Sequence, residues 1–132
     1  LVNTDWEALV DCFAPNGMVD INAGTAAGQE QIYDLFAKEI SKIHIGVEGL
    51  FVTHPIISVT GDSAQGKWLL FMMFAQPRKF DPKPHIFTTD DAPDWTCGYY
   101  DVTYVRHNSV WKIRTLRYRI RMASPMTNLT PQ

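Results

Sequence analysis

The sequence has little of what metal and cofactor sites are usually built from. It holds two cysteines, Cys12 and Cys97, and four histidines in 132 residues. Two thiols make no disulfide framework, and no His/Cys spacing matches a zinc site. The expectation is two reduced thiols in the core. No glycine-rich phosphate loop and no nucleophile elbow is present, so neither a metal nor a cofactor is expected. No apolar run approaches the ~18 residues of a membrane span, and no signal-peptide pattern opens the chain. These lacks set the expectation of a cytoplasmic protein without membrane partners. A basic surplus is missing too. Lys and Arg number 12 against 14 Asp and Glu, a formal charge of −2, which argues against a general nucleic-acid binder.

What is present is ordinary globular material rich in aromatics. Hydrophobic residues are 45%, charged residues 20% and aromatic residues 12%. Surface scaling gives about 7,000 Å² exposed when folded against about 22,000 Å² unfolded, enough burial for one core and too little for two. With no repeats, low-complexity tracts or linkers, residues 1–132 read as a single domain.

Along the chain, Thr4 to Phe13 has Trp6, Leu9, Val10 and Phe13 at helical spacing behind a Thr4 or Asp5 cap. Pro15-Asn16-Gly17 is expected to stop that helix and turn the chain. A short strand over Met18–Asn22 and a helix over Gly28–Ile40 follow. Strands are expected between His44 and Val59, with bulges at Gly46 or Gly49, then over Ala64–Gln76 after a Thr60–Ser63 turn. The Trp68–Phe74 run is apolar on both faces and reads as buried on both. Pro77 to Asp94 has no periodicity; it is a lid over a pocket or a surface insertion. Trp95–Arg106 and Val110–Met122 form a last hairpin. The order predicts an α+β fold, a strongly curved antiparallel sheet wrapped around helices into a cone, whose apolar mouth takes small ligands.

Four strings span nearly the whole chain in one order: "DWEALVDCFAPNGMVDI", "GQEQIYDLF", "HPIISVTGDSAQGKWLL" and "GYYDVTYVRHNSVWKIRTLRYR". Together they resemble the SnoaL-like branch of the nuclear transport factor 2-like superfamily. That resemblance implies the cystatin-like α+β cone, with a first helix that is short or missing here because members usually carry a longer one. It also implies a range of roles. Members include scytalone and bile acid dehydratases, hexachlorocyclohexane dehydrochlorinase, polyketide cyclases, steroid isomerases and the non-catalytic small subunits of ring-hydroxylating dioxygenases. Fold alone does not choose among them.

Within the resemblance, Ile43-His44-Ile45-Gly46 matches the string that carries the catalytic histidine of the dehydratases and dehydrochlorinases. An imidazole titrates near 6.5 and suits proton abstraction at neutral pH. The family's partner aspartate, four residues before the helix tryptophan, falls on Val2, so the dyad is absent or shifted onto Asp5. The span after His44 is longer than in those dehydratases, which makes His54 the alternative base. Asp101 is an alternative acid of the cyclase type.

The last strand sets Arg114, Arg117, Arg119 and Arg121 among apolar residues. Strict alternation puts Arg117, Arg119 and Arg121 on the face of Trp111 and Ile113 unless a bulge intervenes. Unpaired, they would be costly to bury, so Asp20, Asp101, a ligand, water or an interface must meet them. Arg117 or Arg119 is the candidate for polarising a substrate oxygen, and Tyr100 stands for the tyrosines of its strand as a hydroxyl donor. Phe36, Trp68, Met72 and Trp95 are the expected apolar lining. The expected function is a lyase, isomerase or cyclase acting on a hydrophobic cyclic substrate of polyketide, terpenoid or steroid type, in secondary metabolism. The alternative is a non-catalytic ligand-binding or assembly module. A homo-oligomer, dimer or trimer, is expected in either case.

Overall fold

The computed structural model describes residues 5–42, 49–73 and 95–123. Helix α1 (Trp6–Asp11) begins where Asp5 accepts the Ala8 backbone N–H on its side-chain oxygen at 2.9 Å. That bond satisfies one of the donors a helix start leaves unpaired. Strand β1 (Phe13–Ile21) follows directly and pairs with β2 (Gly24–Ala27). Helix α2 (Gln29–Asp34) continues through a π-helical turn (Leu35–Glu39) into a 3-10 turn (Ile40–Lys42). Four long strands follow among the described residues: β3 (Gly49–Thr60), β4 (Ser63–Met73), β5 (Trp95–His107) and β6 (Val110–Ala123). They form one curved, unclosed sheet in the order β2-β1-β6-β5-β4-β3, antiparallel except where β1 lies parallel to β6.

Several local expectations change. Pro15-Asn16-Gly17 does not end the segment; β1 runs through it, with four residues of β1 between Phe13 and Met18 set against Arg114 alone of β6. Pro15 and Asn16 are exposed in this irregularity, where a missing ladder N–H is harmless. Gly49 pairs in register with Met73, so the bulge seen in β3 is not there. Gly46 is outside the described residues, and the two residues His54-Pro55 stand opposite Trp68 alone. The Trp68–Phe74 run is not buried on both faces, since Leu70 and Met72 are buried while Met73 is half exposed. Cys97 is buried, but Cys12 is exposed at the end of α1. The predicted lid, Pro77–Asp94, lies outside the described residues.

Bulges also decide which face each β6 residue takes. The register steps from Thr103–Thr115 to Tyr104–Ile113, leaving Arg114 extra, and from Cys97–Met122 to Gly98–Ile120, leaving Arg121 extra. Each extra residue reverses the alternation. Ile113, Leu116, Tyr118 and Ile120 therefore share the inner face, while Arg117 and Arg119 turn outward.

Among the described residues the helices cover the inner face at the β1/β2 end. Ile32, Leu35, Phe36 and Ile40 pack with Phe13, Val19 and Ala26, and Trp6 stacks on Phe36 at 6.3 Å between centroids. A second cluster of Leu70, Met72 and Tyr118, with Leu50, Tyr100 and Ile120, continues along the same face; Ile21 touches both. Beyond it, the inward side chains Val52, Ile57 and Val59 of β3 are half exposed or more. Among the described residues the inner face is thus packed under the helices and half exposed along β3.

On the outer face, Asp20 ties β1 to β6. Its carboxylate accepts from Arg119 at 2.6 Å and lies 3.4 Å from Arg117. The Arg119 hydrogen bond holds the Asp20 carboxyl below its ordinary 3.8. A depressed carboxylate stabilises the fold above its unfolded value, and that contribution fades as pH falls through the lowered one. Asp20→Asn should therefore flatten the acid limb of the melting-temperature curve below about pH 4, and salt should mute the difference. Thermal melts across this range, at low and high salt, check it.

Candidate functional site

On the inner face of β4, β5 and β6, alternation brings together Trp68, Tyr100, Tyr104, Tyr118 and Thr96. Two glycines make room for the rings. A Cβ on Gly66 would come 3.0 Å from Trp68 Nε1 and 3.1 Å from Tyr104 Cε2. Over that glycine the Trp68 indole N–H donates to the Tyr104 hydroxyl at 3.0 Å, leaving the Tyr104 proton free to donate elsewhere. The Tyr118 ring lies against Gly98 and 5.2 Å from the Tyr100 ring. The result is an aromatic wall carrying hydroxyl groups, set beside Leu50, Leu70, Met72 and Ile120.

Burial sets the chemistry of those hydroxyls. It pushes the Tyr100 phenol far above its ordinary 10.0, with the neighbouring Tyr118 adding to the effect. Burial raises the Tyr118 phenol too, the Thr96 hydroxyl working against it. Both phenols keep their protons at any working pH and can act only as neutral hydrogen-bond donors or acceptors. Thr96 is 1% exposed and Tyr118 6% exposed. Among the described residues neither side-chain oxygen has a partner in hydrogen-bond geometry, although the two hydroxyls are close enough for Thr96 to act on the Tyr118 phenol. An unpartnered buried hydroxyl costs about 1–3 kcal/mol.

The expected site residues separate onto different parts of the molecule. Trp68, Met72 and Tyr100 come together on the inner face. Arg117 and Arg119 lie on the outer face with Asp20, and Asp101 lies there 3.5 Å from Lys67. Trp95 is also outside, stacked on Phe71 at 5.7 Å. Phe36 belongs to the helix-side core. His54 is exposed in the β3 bulge at a positive φ of 51°, its Nδ1 2.9 Å from Thr53 Oγ1. His44 and Val2 lie outside the described residues, and Asp5 caps α1. Of the tyrosines on β5, Tyr99 is the one facing out, half exposed under the Arg121 guanidinium.

Sequence reasoning missed Tyr118 and Thr96. The signal was present, since Tyr118 alternates with Leu116 and Ile120 against Arg117 and Arg119, but reading it needed both bulges. A second feature unforeseen from sequence is an open groove of about 520 Å³ on the outer face. Lys67, Asp101, Arg117 and the hydroxyls of Ser58, Thr103 and Thr115 line it. Among the described residues no group of three His, Cys, Asp or Glu is placed to hold a metal ion, and no helix is long and apolar enough to cross a membrane.

Comparison with solved structures gives the same fold. A hexachlorocyclohexane dehydrochlorinase of the LinA type from Novosphingobium barchaimii superposes with a TM-score of 0.72 at 16% identity, over 98% of this chain and 84% of that one. A scytalone dehydratase-like protein from Novosphingobium aromaticivorans gives 0.66 at 16% identity, over 95% and 76%. A nuclear transport factor 2-like protein with a cystatin-like fold, also from N. aromaticivorans, gives 0.68 at 15% identity, over 90% and 71%. Identities this low speak for the fold alone. No curated protein sequence matches the chain. The family model described as a SnoaL-like domain matches residues 3–117, most of the chain and both halves of the cone. This chain belongs to the SnoaL-like domain family.

Proposed function

We propose that the protein is a cofactor-independent lyase or isomerase that moves a proton on a hydrophobic cyclic substrate held against the inner aromatic wall. One observation carries the reading: hydroxyl donors that keep their protons are set in an otherwise apolar face, beside the half-exposed inward side chains of β3. Such a surface accepts a ring system by burial and meets its oxygen with preorganised donors. The Tyr100 O–H is the assigned donor to a carbonyl oxygen. A base removes the proton α to that carbonyl, and the electron pair moves into an enolate stabilised by the phenol. Collapse then expels a β-leaving group in elimination, or takes a proton at another carbon in isomerisation. The base is assigned to His44 on the sequence resemblance. The oxygen-polarising role expected of Arg117 or Arg119 passes to the tyrosines, since both arginines stand on the opposite face.

The test uses 2-tetralone, a bicyclic ketone with acidic α-hydrogens, in D2O. The protein should accelerate α-hydrogen exchange above buffer. His44→Ala should abolish the acceleration with an unchanged melting temperature, and full retained exchange would remove His44 as the base.

The outer face favours a second reading, that of an assembly module. Ile56, 74% exposed, lines its groove, and the same face also leaves Phe51, Met73 and Met122 half exposed. Association of copies through this face, as dimer or trimer, is compatible with either reading. Chemistry on one face and assembly on the other do not compete.

A further inference from the structure

The assigned donor, Tyr100, leaves two hydroxyls of the same wall without a task. Thr96 sits two inward positions before Tyr100 on β5, opposite the buried Met72, and Tyr118 stands directly opposite Tyr100 on β6. Both residues are more than nine-tenths buried, and their oxygens have no hydrogen-bond partner among the described residues. Tyr118 packs with Leu70, Met72, Leu50, Ile120 and Tyr100, Thr96 pairs with Met72, and the polar group that acts on the Tyr118 phenol is the Thr96 hydroxyl itself.

Packing alone does not require these oxygens. Phenylalanine would fill the space of Tyr118, and valine is nearly isosteric with Thr96; each would spare the protein an unmet polar group. The ring of Tyr118 is nonetheless closely seated, since a Cβ on Gly98 would come 2.7 Å from its Cε2. The phenol is thus held in place while its hydroxyl is unspent. A fixed, desolvated donor beside a second hydroxyl, in an apolar wall, is how a site recognises one oxygen on an otherwise hydrocarbon ligand.

We propose that Tyr118 and Thr96 form a specificity-determining pole that, beside Tyr100, binds the same keto or hydroxyl oxygen of the cyclic substrate. Tyr118 donates to that oxygen. Thr96 donates to it as well when it is a carbonyl, or accepts from it when it is a hydroxyl. The pole rests on the functional reading above for the class of ligand, and not on turnover.

The experiment compares binding of 2-tetralone with that of tetralin, the same bicycle without the oxygen, by NMR titration. The unsubstituted protein should bind 2-tetralone more tightly. Tyr118→Phe should weaken 2-tetralone about tenfold and leave tetralin unchanged, with a melting temperature equal or higher. Thr96→Val should act in the same direction, and Thr96→Ser should restore the preference. Equal affinity of the unsubstituted protein for the two probes overturns the pole, as does a parallel loss of both probes in Tyr118→Phe. Because the readout is binding, a protein that prefers 2-tetralone yet exchanges none of its α-hydrogens keeps the pole and loses only the catalytic reading.

Discussion

Gly98→Ala should destabilise the fold by about 3 kcal/mol or more, at or beyond the upper end of overpacking effects. The added Cβ would stand 2.3 Å from the Arg119 carbonyl oxygen and 2.7 Å from Tyr118 Cε2. The second contact could be relieved by turning a ring. The first cannot, because that oxygen is backbone of the neighbouring strand, and relief means parting β5 from β6. This is also where the register slips past Arg121, so the ladder has few bonds to spare. Urea titration should show a lower midpoint with an unchanged slope, the mark of lost stability rather than a changed unfolded state. An unchanged midpoint would mean that the two strands are not this closely opposed, and the seating of Tyr118 would lose its basis.

Tyr100→Phe is expected to give the largest loss of activity among changes that leave the fold intact. Removing one preorganised donor to a developing oxyanion typically lowers kcat by about 10²–10³-fold. The α-hydrogen exchange of 2-tetralone should fall by that order while its affinity changes little, since the phenol's work is done mainly in the transition state. The apolar ring contact with Tyr118 survives the change, so the core should hold. The variant also carries a pH signature. A phenol whose folded value is raised stabilises the fold fully below its unfolded value near 10 and loses that contribution as pH rises above it. Tyr100→Phe should therefore melt less steeply with rising alkalinity than the unsubstituted protein. Loss of exchange without this change in the alkaline limb would argue that Tyr100 is not the buried group described.

Much of this was legible from residue types and spacing. The antiparallel run of long strands follows from β-branched and aromatic segments punctuated by Gly61-Asp62 and Asn108-Ser109 turns; Trp68 and Met72 were expected in the apolar lining and one tyrosine of β5 beside them, but which tyrosine faces in is set by the strand register. The arginine strand was not legible in the same way. Strict period two sends Arg117 and Arg119 to the face of Ile113; one extra residue, Arg114, sends them outward to Asp20. Nothing in the local sequence marks that bulge, because it answers a mismatch with β5. The same insertion, and the one at Arg121, hid Tyr118 among the apolar residues of its strand. Pro15-Asn16-Gly17 misled for a related reason. Its turn chemistry is real, but it is used inside a strand, where Gly17 packs so closely that a Cβ would stand 2.9 Å from the Ala14 carbonyl oxygen. Local rules held for turns and caps, and gave way where pairing with a distant strand set the phase.

The most direct test is to locate the bound ligand. Intermolecular NOEs from 2-tetralone to the isotopically labelled protein should connect its ring protons to the side chains of Trp68, Tyr100 and Leu50. Contacts instead to Lys67, Thr103 and Arg117 would put the ligand in the outer groove and contradict an inner-face site.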